Sequence, residues 1–252
     1  MSSGRQANSL QTHPKRKLRT TSLDDSDKRK GERPVARKSY SEQLAGLKED
    51  VLKMGTMVEE AIYNSVKSLK QRDDELAQKV IDGDDAIDDF LVQIEDCCVM
   101  LLALQQPMAR DLRVISTAIK IITDLERMGD LAVDIARVTL RLSGQPLIKP
   151  LIDVPRMMES TQKMTRISLD AYVQEDPDQV LCLIDYDHEV DDLYNQVFRE
   201  LLVFMMEDPH TIKQATQLLF VARYLERIAD HATNVGESVY YMVKGERKEL
   251  NL

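Results

Sequence analysis

The chain contains 252 residues, 43% of them hydrophobic and 31% charged, with no tryptophan and three cysteines. Leu, Ala, Met, Glu and Lys are abundant whereas Gly and Pro are few, a composition that favours helices. No run of about eighteen uncharged apolar residues occurs, which excludes a membrane-spanning segment. The cysteine spacing excludes a disulfide framework and a zinc motif, and it is typical of buried free thiols in a reducing compartment.

Charge is distributed unevenly along the chain. Residues 1–38 contain eleven basic and four acidic residues, a net charge of +7, which leaves −16 on the remainder. We interpret residues 1–38 as a disordered basic N-terminal arm, because they lack apolar periodicity. The alternatives are a plain solvated extension or wrong start site, a contact to nucleic acid or anionic lipid, and a transit peptide, which Asp24, Asp25 and Asp27 disfavour. The acidic remainder disfavours nucleic-acid binding outside this arm.

Residues 39–144 are predicted to form a first unit of three helices. The first helix covers residues 40–70, because apolar residues recur at three- and four-residue steps. These are Leu44, Leu47, Val51, Met54, Val58, Ile62, Val66 and Leu69. The second helix starts near the capping residue Asp73 and ends near Gln105. The third runs from Pro107 to about Leu142.

A second unit, residues 156–247, repeats this plan after a linker at 145–155 that contains three prolines. One helix follows Pro155, and the next two start at Asp176-Pro177 and Asp208-Pro209, where an acidic cap precedes a proline. A shift of 103 residues places Val80–Asp84 on Leu183–Asp187, and a shift of 100 aligns the third helices. We therefore predict an all-α fold of two tandem three-helix bundles with long antiparallel helices.

The third helix of each unit carries a column of oxygen-bearing side chains. The sequence Leu125-Glu126-Arg127-Met128 returns as Leu225-Glu226-Arg227-Ile228, and further oxygen-bearing residues follow at four-residue steps. The columns are Glu126, Asp130 and Asp134 in the first unit, and Glu226, Asp230 and Asn234 in the second. Side chains four apart stack on one helix face, about 6 Å apart, where like charges repel unless a cation compensates. Arg127 is expected to point away, and Arg137 and Arg223 are the expected partners.

These columns indicate metal binding rather than a solvated acidic stripe. The pattern recurs in both units, and apolar residues flank each column, so it borders a packed seam. Carboxylate oxygens suit hard cations, and the spacing leaves Mg, Mn, Ca, Fe and Zn open. Further acids could approach from a neighbouring helix, although each reads more simply as a surface charge. They are Asp88, Asp89, Glu95, Asp187, Asp191 and Asp192. No nucleotide, dinucleotide, nucleophile or di-iron motif occurs, so no catalytic or cofactor-binding residue is predicted.

Several segments together resemble the PhoU family of phosphate-specific transport accessory proteins. In order, they are Met54–Glu59, Val80–Asp84, Ala109–Arg113, Leu125–Asp130, Met205–Asp208, Ala222–His231 and Val243–Gly245. The resemblance covers about four-fifths of the chain, from about Ser41 to Gly245. Residues 1–38 depart from the family pattern, in which the fold begins almost at once.

The resemblance implies both a fold and a function. It implies two three-helix bundles related by a pseudo-twofold axis, with acid-x-x-x-Asp motifs that bind metal ions or clusters. In this chain those motifs are Glu126/Asp130 and Glu226/Asp230, which Asp134 and Asn234 extend, with Fe, Mn, Mg or Zn as the metal. The protein would be a cytoplasmic, homodimeric regulator and not an enzyme. It would contact the ATPase subunit of the phosphate ABC transporter and the sensor histidine kinase, repress the phosphate regulon and restrain phosphate uptake.

Two functions from other classes remain as alternatives. The first is a metal-dependent enzyme that uses the carboxylate columns to activate water or oxidise iron, which the absence of a histidine beside the columns disfavours. The second is a nucleic-acid-binding regulator that acts through the basic residues 1–38.

Overall fold

The computed structural model describes residues 32–250, with side chains from Tyr40 onward. Residues 1–31, most of the expected basic arm, lie outside the described residues. The chain divides at Ser39, and the part from Tyr40 onward is one compact unit. The described helices are α1 (Glu32–Gln71), α2 (Asp74–Asp82), α3 (Asp84–Gln105), α4 (Ala109–Arg141), α5 (Asp153–Gln174), α6 (Leu183–Glu207) and α7 (Ile212–Lys244).

The first bundle consists of α1 to α4 and differs from the prediction at two places. Helix α1 begins at Glu32 rather than near Tyr40, so it includes residues 32–38 of the expected arm. Pro34 lies in its first turn, where the missing N–H is tolerated. The predicted second helix is broken at Gly83, a poor helix former, into α2 and α3. Asp73 caps α2 as expected, because its side chain accepts a hydrogen bond from the Leu76 N–H at 2.9 Å.

The second bundle consists of α5 to α7, and its second and third helices begin later than predicted. A 3₁₀ turn at Gln179–Cys182 precedes α6, and another at Pro209–Thr211 precedes α7. Asp208 nevertheless caps the turn before α7, since its side chain accepts from the His210 N–H at 2.9 Å. Pro209 is the first residue of the second turn, where its fixed φ angle favours the tight start, whereas Pro177 lies two residues before the first turn.

The third helices, α4 and α7, pack against each other along the boundary between the bundles, and α7 also contacts α5 and α6. Leu125 and Met128 of α4 are fully buried, as are Leu225 and Ile228 of α7. Each oxygen column is therefore anchored beside a packed apolar seam, as the sequence predicted. The all-α fold is confirmed, and within residues 32–250 no helix is long and apolar enough to cross a membrane.

Helix α7 crosses the start of α6 closely at Gly236. A Cβ atom added at Gly236 would clash with Leu183 Cδ1 and lie 3.3 Å from the Cβ of Val180. Gly46 in α1 is a useful contrast, because a Cβ added there has nothing within 4 Å. Substitutions at the two glycines therefore distinguish the effect of packing on stability from the effect of helix propensity.

We predict that Gly236→Leu lowers the free energy of unfolding by about 1–3 kcal/mol, because the larger side chain overpacks a tight crossing. Gly46→Leu should raise it by up to about 1 kcal/mol, because leucine favours the helix and meets open space. Urea denaturation of both variants measures the two changes. Equal stability of Gly236→Leu and the wild type would show that the α6–α7 crossing is looser than described.

Candidate metal sites

The column on α4 is held by two arginines of the same helix. Asp130 accepts from Arg127 Nη1 at 2.9 Å, and Glu126 lies 3.3 Å from Arg127 Nε. Asp134 accepts from Arg137 Nη1 at 2.9 Å, as predicted. The expectation that Arg127 points away is wrong, because its long side chain bends back over both carboxylates.

Two further carboxylates approach this column from the start of α3. Burial, followed by the charges of Asp88 and Asp130, raises the pKa of Asp84 to about 6. Burial also raises the pKa of Glu126, and Asp130, Asp88 and Asp84 add to the effect. We call Asp84, Asp88, Glu126 and Asp130 the first patch. Asp84 lies close to Gly129 of α4, since a Cβ built there would be 3.5 Å from Asp84 Oδ1, an ordinary contact distance.

The column on α7 has the same arrangement. Arg223 donates to Glu226, as predicted, and Glu226 is only 13% exposed. Burial raises the pKa of Glu226 and of Asp191, and in both cases the Asp230 charge is the next largest cause. Burial, with the charges of Asp191 and Asp230, raises the pKa of Asp187 to about 6. We call Asp187, Asp191, Glu226 and Asp230 the second patch.

The two patches occupy equivalent positions in the repeat. Asp84 and Asp88 correspond to Asp187 and Asp191 at the 103-residue shift, and the α4 and α7 acids correspond at a shift of 100. Asp88, Asp187 and Asp191 were among the acids expected from a neighbouring helix. Asp84 was not, although it falls on Asp187 in the repeat alignment, which is the signal that would have identified it.

The remaining candidates lie at the edges of the patches or away from them. The charge of Asp134 acts on Tyr224 of α7, whose pKa burial already raises. Asn234 is exposed one turn beyond Asp230. Asp89 and Asp192 are exposed, and Glu95 is partly buried near Cys98.

Two histidines lie near the columns, with different surroundings. His188 follows Asp187 directly, and its charge lowers the pKa of both Asp187 and Asp191. His188 belongs to α6 and acts on the α6 acids of the second patch; it was not among the residues named from the sequence. His231 contacts Asp124 of α4 at 2.9 Å, away from the column of its own helix.

The donor chemistry of both patches suits a hard cation, because each combines four carboxylates whose charges repel one another. At the second patch, Glu226 Oε2 is buried and accepts no hydrogen bond from the described residues. An unsatisfied buried carboxylate oxygen is costly, and a bound cation would satisfy it. With the side chains as they stand, no three His, Cys, Asp or Glu residues in the described part converge closely enough to enclose a metal. Closing a coordination shell therefore requires side-chain rotation.

Comparisons with known proteins agree with the two-repeat fold. The family model described as "PhoU domain" matches the chain twice, at residues 51–139 and 154–239. The chain belongs to the PhoU family.

The PhoU relatives extend over nearly all of the described fold. A protein of Clostridium acetobutylicum named "Phosphate-specific transport system accessory protein PhoU homolog" is 42% identical over 218 residues, which cover 86% of this chain and all of the relative. A protein of the same name from Aquifex aeolicus is 44% identical over 81% of this chain and 92% of its own length. The crystal structure of PhoU from Pseudomonas aeruginosa superposes with a TM-score of 0.78 at 37% identity, covering 82% of this chain and 100% of that one. The regulatory protein PhoU from Streptococcus pneumoniae gives a TM-score of 0.77 at 29% identity, covering 83% and 99%.

The raised pKa of Asp187 predicts that, in metal-free protein, this side chain contributes a loss of stability as the pH rises from about 4 to about 6. Between its ordinary pKa of 3.8 and the folded value of about 6, Asp187 is protonated in the folded state but ionised in the unfolded chain. Above about pH 6 both states are ionised, so the folded state carries the full penalty of a buried charge.

Asp187→Asn should remove this penalty. In chelator-treated protein at pH 7.5, we expect the variant to be more stable than the wild type by about 1–2 kcal/mol, and the gap to close near pH 4. Thermal denaturation across this pH range provides the measurement, with Glu189→Gln, an exposed acid of the same helix, as the control. A variant no more stable than the wild type at pH 7.5 would contradict the electrostatic description of the second patch.

Proposed function

We propose that this protein is an adaptor that represses the phosphate regulon and restrains phosphate uptake. The observation that carries the proposal is the match to PhoU proteins, named for the phosphate-specific transport system, over both repeats and all of one relative's length. The partners are the ATPase subunit of the phosphate ABC transporter and the sensor histidine kinase. The protein acts on the cytoplasmic side as a homodimer and is not an enzyme.

The metal-binding part of the proposal rests on the two patches. Asp84, Asp88, Glu126 and Asp130 hold one cation or cluster, and their equivalents on α6 and α7 hold another. Of the six residues predicted from the columns, we propose four as ligands, namely Glu126, Asp130, Glu226 and Asp230. The other two, Asp134 and Asn234, lie at the margins of the patches. When bound, a divalent or trivalent ion such as Fe, Mn, Mg or Zn neutralises the carboxylates and fixes their side chains. The carboxylates and the ion that neutralises them lie at an exposed face between two helices, where a partner can contact them.

A second candidate is a metal-dependent enzyme, and the position of His188 is the observation that favours it. An imidazole beside Asp187 and Asp191 could act as a general base toward metal-bound substrate water. The first patch lacks this group, because the equivalent position is Asp85. Turnover that is lost in both Glu226→Ala and His188→Ala would support the enzyme over the adaptor.

The nucleic-acid alternative concerns residues 1–38, and a salt-dependent DNA shift that survives their removal would refute it.

Deletion of the gene in its own organism should derepress alkaline phosphatase in phosphate-rich medium, because the kinase would lose its repressing partner. Re-expression of the wild type should restore repression, which enzyme activity in whole cells measures. Unchanged repression in the deletion strain would contradict the proposed function.

Complementing alleles separate the metal-binding part from the adaptor role. Glu226→Gln/Asp230→Asn should leave alkaline phosphatase at the level of the deletion strain, because the second patch loses two anionic ligands. The matched control, Glu189→Gln/Asp192→Asn, neutralises two exposed acids of α6 and should repress fully. Full repression by the patch variant would leave the adaptor role intact and reject the requirement for metal at the second patch.

A further inference from the structure

A groove of about 500 Å³ lies where α1 ends beside the segment that joins the two bundles. We call it the cationic groove, because three basic residues and no acidic residue line it. The lining residues are Lys70, Arg72, Pro146, Leu147, Ile148, Lys149, Pro150 and Leu151. Its volume is in the range of small-molecule sites. Such a local excess of positive charge stands out on a body whose net charge from residue 39 onward is −16.

Arg72 occupies a backbone position that favours glycine. It follows the last residue of α1 with a φ of 55°, in the left-handed region. The Asp73 N–H donates to Ser68 O at 2.9 Å, which is the bond that closes a helix end of this type. A residue with a Cβ costs about 1 kcal/mol there, so the arginine is held against a local backbone penalty. Backbone strain of this kind is concentrated at functional positions.

The equivalent position in the second bundle shows what a charged residue does there. Glu175 follows α5 with a φ of 54°, and it accepts hydrogen bonds from Lys48, at 2.8 Å, and from Arg110. Two opposite charges therefore satisfy Glu175. The side chain of Arg72, by contrast, makes no hydrogen bond or ion pair with any residue in the described part of the chain.

The uncompensated charge in the groove is about two positive units. Lys149 is paired with Glu200 and is 10% exposed, so its charge is offset. Lys70, like Arg72, has no ion-pair partner among residues 40–250. A lysine in the last turn of a helix is favoured by the helix dipole in any case, so Arg72 is the distinctive residue.

We propose that the cationic groove binds an anionic phosphoryl group, either free inorganic phosphate or the headgroup of an anionic lipid. The planar guanidinium of Arg72 can donate two parallel hydrogen bonds to phosphoryl oxygens, and Lys70 supplies a second charge. Leu147, Ile148 and the two prolines offer apolar surface to whatever the phosphoryl group carries. The acidic patches repel anions, so electrostatics direct such a ligand to this groove. The site is separate from both patches and does not depend on the proposed regulatory role.

The test uses the full chain after chelator treatment, so that metal at the patches cannot capture phosphate. Isothermal titration with inorganic phosphate and co-sedimentation with phosphatidylglycerol vesicles provide the two arms. Arg72→Gly/Lys70→Gln should weaken binding about tenfold or more, because two charge-assisted contacts are lost. Arg72→Gly also relieves the backbone penalty, so this variant should fold at least as stably as the wild type. Lys79→Gln/Lys120→Gln removes the same charge from exposed residues outside the groove and should bind like the wild type.

Saturable phosphate binding that the groove variant loses would support the site with free phosphate as its ligand. Vesicle binding alone, lost in the groove variant and kept in the control, would support it with a lipid headgroup. Binding that is absent in both arms, or that falls equally in the groove variant and the control, would overturn the proposal.

Discussion

The structure depends on carboxylates that are held close together beside the packed α4–α7 seam. Buried Leu125 and Met128 fix one column, and Leu225 and Ile228 fix the other. The core holds the backbones of these acids close together, so burial first, and then repulsion among the acids, raises the pKa of several of them. The apolar core outweighs this local cost, and the carboxylates are left ready to bind a cation.

The helix that precedes the third helix of each bundle, α3 or α6, adds further acids to each patch. The start of α3 lies close to Gly129 of α4, and the start of α6 contacts α7 where the Thr233 hydroxyl lies 3.4 Å from Asp187 Oδ1. Each start brings two further acids. The two patches are similar but not identical. Arg127 bridges two acids of the first patch, whereas the second has an unsatisfied Glu226 oxygen and a neighbouring histidine. The second patch therefore has the greater need for a cation, because less of its charge is satisfied internally.

Sequence reasoning recovered the fold and named the α4 and α7 acids of each patch, and it named Asp88, Asp187 and Asp191 only as further acids that could approach. Apolar steps of three and four residues identify long helices, and the four-residue spacing of Glu126 and Asp130 places them on one face whatever the rest of the fold does. Asp84 was missed because its role depends on the contact between α3 and α4, which no local spacing encodes. The break at Gly83 was also missed, since helix propensity does not determine where a helix bends. The pairing of Arg127 with Glu126 and Asp130 was missed because propensity does not determine which way a long side chain folds.

The most direct test of the central claim is anomalous diffraction from crystals soaked with manganese. We predict one or more anomalous peaks at each patch, bounded by Glu126 and Asp130 on α4 and by Glu226 and Asp230 on α7. Bare carboxylates at both patches under saturating manganese would contradict the claim that the clustered acids form cation sites.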